Sequence, residues 1–169
     1  MKKIIATLTA MFAAFAMGTF AFAETYINAN DLESQTLTSN LECEDGFVIL
    51  ATPEKNMEIS KQSSDCPNEV NGEVFTKRIK IGGAGKVDYR SISFNVKAGQ
   101  KITVYSKSTS KTDARLVALL AADGSEVGTS EAGIYGDKIS VGEFTAPADG
   151  TYYVTSKKSG IYVYSIIVK

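Results

Sequence analysis

After residue 23, apolar and polar positions alternate in short runs instead of recurring every three or four residues, which predicts strands and no long amphipathic helix. Runs rich in β-branched and aromatic residues cover Phe47 to Thr52, Val74 to Ile81, Tyr89 to Val96, Lys101 to Lys107, Arg115 to Ala121, Val141 to Thr145, Gly150 to Ser156 and Gly160 to Val168. A weaker run covers Met57 to Ser60, and Pro67 to Gly72 reads as an exposed loop. Ala98-Gly99, Asp123-Gly124, Asp149-Gly150 and Ser159-Gly160 punctuate the runs as turn dipeptides. Short strands at this spacing predict an all-β sandwich or barrel.

The two-residue period assigns side chains to faces. Phe75, Ile79 and Ile81 share one face with Lys77, which leaves Thr76, Arg78 and Lys80 on the other. Ile92, Phe94 and Val96 share a phase that sets Arg90 at the start of the same core-facing row, where an arginine has to sit at the rim or find a partner. Ile102 and Val104 point inward, turning Lys101, Thr103, Tyr105 and Lys107 outward. The last run is apolar on both faces, so its phase stays open.

Residues 1–23 stand apart. Lys2 and Lys3 precede an apolar run, Ile4 to Phe22, that closes on Ala21-Phe22-Ala23, the pattern of a signal peptide. An uncleaved anchor is the alternative reading of the run's length; the small-x-small ending favours cleavage. A single module is then expected over 24–169, long enough for one core. It would be secreted, periplasmic or at the cell surface, with no membrane span after cleavage.

Composition removes whole classes of chemistry. The 169 residues include no His, so a Ser-His-Asp triad, a Cys-His pair, a histidine zinc site and a His general base are all excluded. With 18 Lys plus Arg against 19 Asp plus Glu, the chain lacks the basic balance of a nucleic-acid binder. Export would place Cys43 and Cys66 in an oxidising compartment, where a disulfide is the default expectation, contributing roughly 3 kcal/mol in the chain-entropy model. A reactive thiol is the alternative, although neither cysteine has a His or a CxxC partner.

Charge is unevenly distributed. Glu24 to Thr76 carries 11 acidic and 2 basic residues, whereas Lys77 to Arg115 carries 2 acidic and 10 basic ones. Such asymmetry either focuses a positive potential that attracts an anionic ligand or is neutralised by pairs across neighbouring strands. Other motifs add little. Ile81-Gly82-Gly83-Ala84-Gly85 precedes a strand and not a helix, which argues against a phosphate loop. Asp123-Gly124-Ser125-Glu126 lacks EF-hand spacing and reads as a hairpin turn; a structural calcium elsewhere stays open, and the metal ligands are unknown. Tyr152, Tyr153, Tyr162 and Tyr164 supply either a sugar-stacking platform or packing.

The blocks NANDLESQTLTSN, FTKRIKIGGAG, YRSISFNV, ITVYSKS, DARLVALL and GTYYVTSKKSGIYVYSIIV together resemble the non-catalytic β-sandwich modules attached to secreted pectate lyases and related pectin-degrading enzymes of anaerobic bacteria. The stretch from Phe94 to Gln100, with Phe144 to Tyr153, also resembles the pre-peptidase C-terminal type of secreted domain. Both resemblances imply an antiparallel, jelly-roll-like β-sandwich without catalysis. The first implies binding of an acidic, pectic or uronate-containing polysaccharide, with a secreted enzyme or a cell-surface component as a further partner. The chain ends with the module, so in place of a fused targeting domain the expectation is a free-standing binder, a subunit recruited by a partner, or a surface protein that retained the scaffold. A structural or adhesive surface protein without soluble-glycan affinity is the alternative. The expected ligand residues are Lys80, Arg90, Lys107 and Arg115, with Tyr162 as a stacking ring. They combine the resembling blocks with the basic segment. No cofactor is expected.

Overall fold

The computed structural model describes residues 23–169, so the expected signal peptide lies outside the described residues apart from Ala23. Fifteen strands follow in chain order. The first eight are β1 (Thr25–Asn28), β2 (Gln35–Leu37), β3 (Leu41–Glu42), β4 (Val48–Leu50), β5 (Met57–Lys61), β6 (Glu69–Val70), β7 (Glu73–Val74) and β8 (Lys77–Gly83). Then come β9 (Ser91–Val96), β10 (Lys101–Ser108), β11 (Arg115–Ala121), β12 (Glu126–Ala132), β13 (Ser140–Thr145), β14 (Gly150–Ser156) and β15 (Ser159–Val168). One sheet has the order β13-β10-β15-β8-β5-β2, and β1 adds to β15 beyond the end of β8. The other has the order β12-β11-β14-β9-β4-β3, and β6 and β7 form a small separate hairpin. All pairings are antiparallel, giving the expected jelly-roll-like sandwich.

The main core lies between the sheets. Ile59, Ile79, Ile81, Ile102, Val104, Ile161 and Val163 face Phe47, Ile49, Ile92, Phe94, Leu119 and Val154. Phe47 and Phe94 stack with ring centroids 5.1 Å apart. This burial of branched and aromatic side chains is the main force holding the two layers together.

The double apolar character of the last run has a structural cause. In β15, Ile161, Val163, Ile166 and Val168 face the main core, while Tyr162, Tyr164 and Ile167 face the opposite side. The three-residue step from Val163 to Ile166 is a β-bulge, since Tyr105 pairs with Ser165 and Ser106 with Val163, leaving Tyr164 unpaired on that side. On the outer face, Tyr162 and Tyr164 join Phe75, Tyr105, Tyr135, Ile139 and Cys66 in a second apolar cluster. The chain between β5 and β8 and the connection between β12 and β13 cover it. Phe75 packs 5.4 Å from Tyr164 and 6.0 Å from Tyr105.

Several expectations are corrected by this cover. Phe75 does not share the inner face with Ile79 and Ile81: the chain leaves the sheet before Lys77, and Phe75 turns into the outer cluster. Part of the expected Pro67 to Gly72 loop is the β6–β7 hairpin. Cys43 and Cys66 do not form a disulfide. Cys43 follows β3 at the edge of the main core, whereas Cys66 is buried in the second cluster on the far face of the other sheet, and both are free thiols. Burial pushes the Cys43 thiol up, against a smaller opposing effect of a backbone hydrogen bond.

Candidate functional site

Register places one row of side chains across the outer face of the larger sheet. Thr36, Glu58, Lys80, Tyr162 and Lys107 are successive cross-strand partners through β2, β5, β8, β15 and β10. The row starts in solvent and ends beneath the covering loops. At its open end, Lys80 Nζ lies 3.4 Å from Glu58 Oε2, with both side chains more than two-fifths exposed.

Beside this pair lies a cleft of about 320 Å³ lined by Thr36, Asn56, Glu58, Lys80, Gly82 and Arg90. Arg90 reaches it by an unusual route. Its backbone adopts φ 50, a left-handed conformation uncommon for a side-chain-bearing residue, just before β9 of the opposite sheet. From there its guanidinium lies over β8, where a Cβ at Gly82 would stand 3.7 Å from Nη2 and one at Gly83 2.9 Å from Nη1. The two glycines therefore form the seat of the arginine. Arg90 Nε is buried and has no hydrogen-bond partner among the described residues. Two cations and one carboxylate thus share a polar cleft, in which a guanidinium can take a carboxylate bidentately and Lys80 can act as a mobile charge.

The remaining expected residues lie elsewhere. Arg115 is on the wall of a separate cleft with Asp113, Leu116, Lys157, Lys158 and Ser159. It donates to Thr109 Oγ1 at 2.5 Å and to the Gly160 carbonyl. Lys107, expected on an exposed face, is fully buried, because its outward phase points it into the second cluster and the loops close over it. Its Nζ donates to Pro67 O at 2.9 Å and Tyr135 O at 3.1 Å. Tyr162 is also largely buried, with the Arg78 guanidinium carbon 3.9 Å from its ring centroid. Burial raises the Tyr162 phenol above its ordinary range, and the neighbouring Arg78 partly offsets that.

Sequence reasoning brought Lys80 and Arg90 to the same list but missed Thr36, Asn56 and Glu58 as their neighbours. The pairing of β2 with β5 brings them in, and Gln35-Thr36-Leu37 is too short to be recognised by alternation. Among the described residues no group of three or more Cys, Asp and Glu side chains is placed to hold a metal ion. No described helix is long and apolar enough to cross a membrane.

A model of the bacterial pre-peptidase C-terminal domain matches residues 88–155, from the turn before β9 nearly to the end of β14. No curated protein matches the chain. Among solved structures, the chain is similar to the carbohydrate-binding module CBM36 in complex with calcium and xylotriose, at 13% identity and a TM-score of 0.45 over 86% of this chain and 99% of that one. A family 35 carbohydrate-binding module from Clostridium thermocellum is similar at 11% identity and a TM-score of 0.46, over 87% of this chain and 98% of that one. The module CBM51 from Clostridium perfringens GH95, in complex with methyl-galactose, is similar at 11% identity and a TM-score of 0.44, over 86% of this chain and 100% of that one.

Proposed function

We propose that this protein is a non-catalytic module that binds an acidic, uronate-containing polysaccharide through the cleft of Lys80 and Arg90. The observation carrying this reading is the convergence of those two cations, from opposite sheets, on one open polar cleft. The Arg90 fork suits a sugar carboxylate, while Thr36 and Asn56 offer a hydroxyl and an amide to neighbouring sugar hydroxyls. The pectate-lyase-module resemblance of the blocks that carry both cations makes pectic polymers the favoured class. Exposed contacts of this kind are individually weak and screened by salt, so binding would draw on repetition along the polymer.

Electrophoresis through gels containing polygalacturonate, a neutral galactan or a neutral xylan tests this reading. Retardation in the polygalacturonate gel alone is expected. Equal mobility in every gel would reject glycan binding and favour a structural or adhesive surface role, and retardation only in a neutral gel would reject the acidic ligand.

A further inference from the structure

The second cluster holds a cysteine and a lysine in direct contact that glycan binding does not use. Lys107 Nζ lies 3.3 Å from Cys66 Sγ, and Cys66 is 4% exposed. Two carbonyls, of Pro67 and Tyr135, complete the three acceptors of the ammonium, so no carboxylate is needed to hold it in an otherwise apolar site. The Tyr135 carbonyl also lies 3.1 Å from the sulfur, and the Tyr164 hydroxyl 4.0 Å from it. Cys43, on the other sheet, is not available to Cys66 within the same molecule. An oxidised cysteine sulfur is captured by a nearby nucleophile, and the Lys107 nitrogen is the one in contact with it.

We propose that Cys66 and Lys107 become joined through a single oxygen atom between Sγ and Nζ, with dioxygen as the oxidant. The ammonium first releases its extra proton to solvent. The thiol then loses one hydrogen and the amine loses one, and one oxygen atom of dioxygen becomes the bridge. The second oxygen leaves as water with those two hydrogens. Sulfur and nitrogen each give up two electrons, and dioxygen accepts the four. A one-atom bridge spans the existing contact with little displacement, whereas a direct sulfur–nitrogen bond would require a far closer approach in a packed site. The bridged nitrogen keeps one N–H for the Pro67 or Tyr135 carbonyl. The crosslink fastens the covering segment between β5 and β8 to β10, so the oxidised protein should melt at a higher temperature than the reduced one.

Intact mass and peptide mapping of the purified full chain, kept in air and then treated with a dithiol, test the proposal. The air-exposed protein should be heavier by one oxygen and lighter by two hydrogens, and digestion should release a peptide pair joining Cys66 to Lys107. Excess dithiol, two molecules per crosslink supplying four electrons and the oxygen leaving as water, should restore both residues and the sequence mass. Cys43→Ser should retain the crosslink and Cys66→Ser should lose it. Should Cys66→Ser fail to fold, mapping of the native chain still decides. A free Cys66 thiol after prolonged exposure to air, a Cys66 sulfinic acid beside an unmodified Lys107, or a disulfide between two copies that maps to Cys66 would each overturn it.

Discussion

The Arg78 guanidinium carbon stands 3.9 Å from the centre of the Tyr162 ring, so the aromatic face that the sequence offered to a sugar is occupied by a cation of the protein itself. Arg78 Nη1 also lies 3.4 Å from the Tyr135 hydroxyl and 3.3 Å from Gln62 Oε1, which ties β8 to the loops covering the second cluster. The ring and the arginine together close the buried half of the row that begins at Thr36.

Tyr162→Ala should therefore act chiefly on stability, with a loss of about 3 kcal/mol from the vacated volume. Arg78→Ala should cost about 1 kcal/mol through the lost stacking. A double-mutant cycle read by chemical denaturation should give a favourable coupling between the two; strict additivity would refute the stacking contribution.

Lys107→Glu, in the reduced protein, should destabilise by about 3 kcal/mol or more, because a carboxylate would be buried against two carbonyls and a sulfur. Lys107→Met keeps most of the length and removes the charge, so it should be milder. Equal melting temperatures for wild type and Lys107→Glu would contradict the burial of this side chain.

Alkaline titration should expose the second cluster. Burial, reinforced by Cys66, raises the Tyr164 phenol far above the usual 10.0, and burial raises Tyr162 as well. A raised folded-state value means that these groups' contribution is fully present below about pH 10 and is lost as pH rises beyond the unfolded value. Of the eight tyrosines, Tyr162 and Tyr164 should ionise late, Tyr164 only as the chain unfolds. Ultraviolet titration alongside circular dichroism checks this, and early, reversible ionisation of all eight in folded protein would contradict it.

Alternation made the central strands legible: β11 and β14 occupy Arg115–Ala121 and Gly150–Ser156, as the pattern predicts. It could not reveal β1, β2 and β3, whose two to four residues hold too few alternations, or β12, whose Glu126–Ala132 is mostly polar and lies at a sheet edge. The phase of Lys107 was also legible, but its burial was not, since the covering loops are set by tertiary packing. The same limit applies to the cysteines: export chemistry suggests a pair, but only the layer order shows that they lie on different sheets. Lys80 was placed on an outward face by period alone. The seat of Arg90 could not be read, because Gly82-Gly83 looks like a turn and is in fact the end of β8.

The proposed grip of Lys80 and Arg90 on a polyanionic glycan is read directly by the affinity for polygalacturonate, at low and high salt, of wild type and the Lys80→Glu, Arg90→Gly double variant. Glycine suits the left-handed backbone at residue 90, and the Lys80 side chain is only partly covered, so the variant should fold with a melting temperature close to wild type. Wild-type binding should weaken by about tenfold or more at high salt, and the folded variant should not bind at either. Undiminished binding by the folded variant, or equal wild-type affinity at both salt concentrations, would contradict the account.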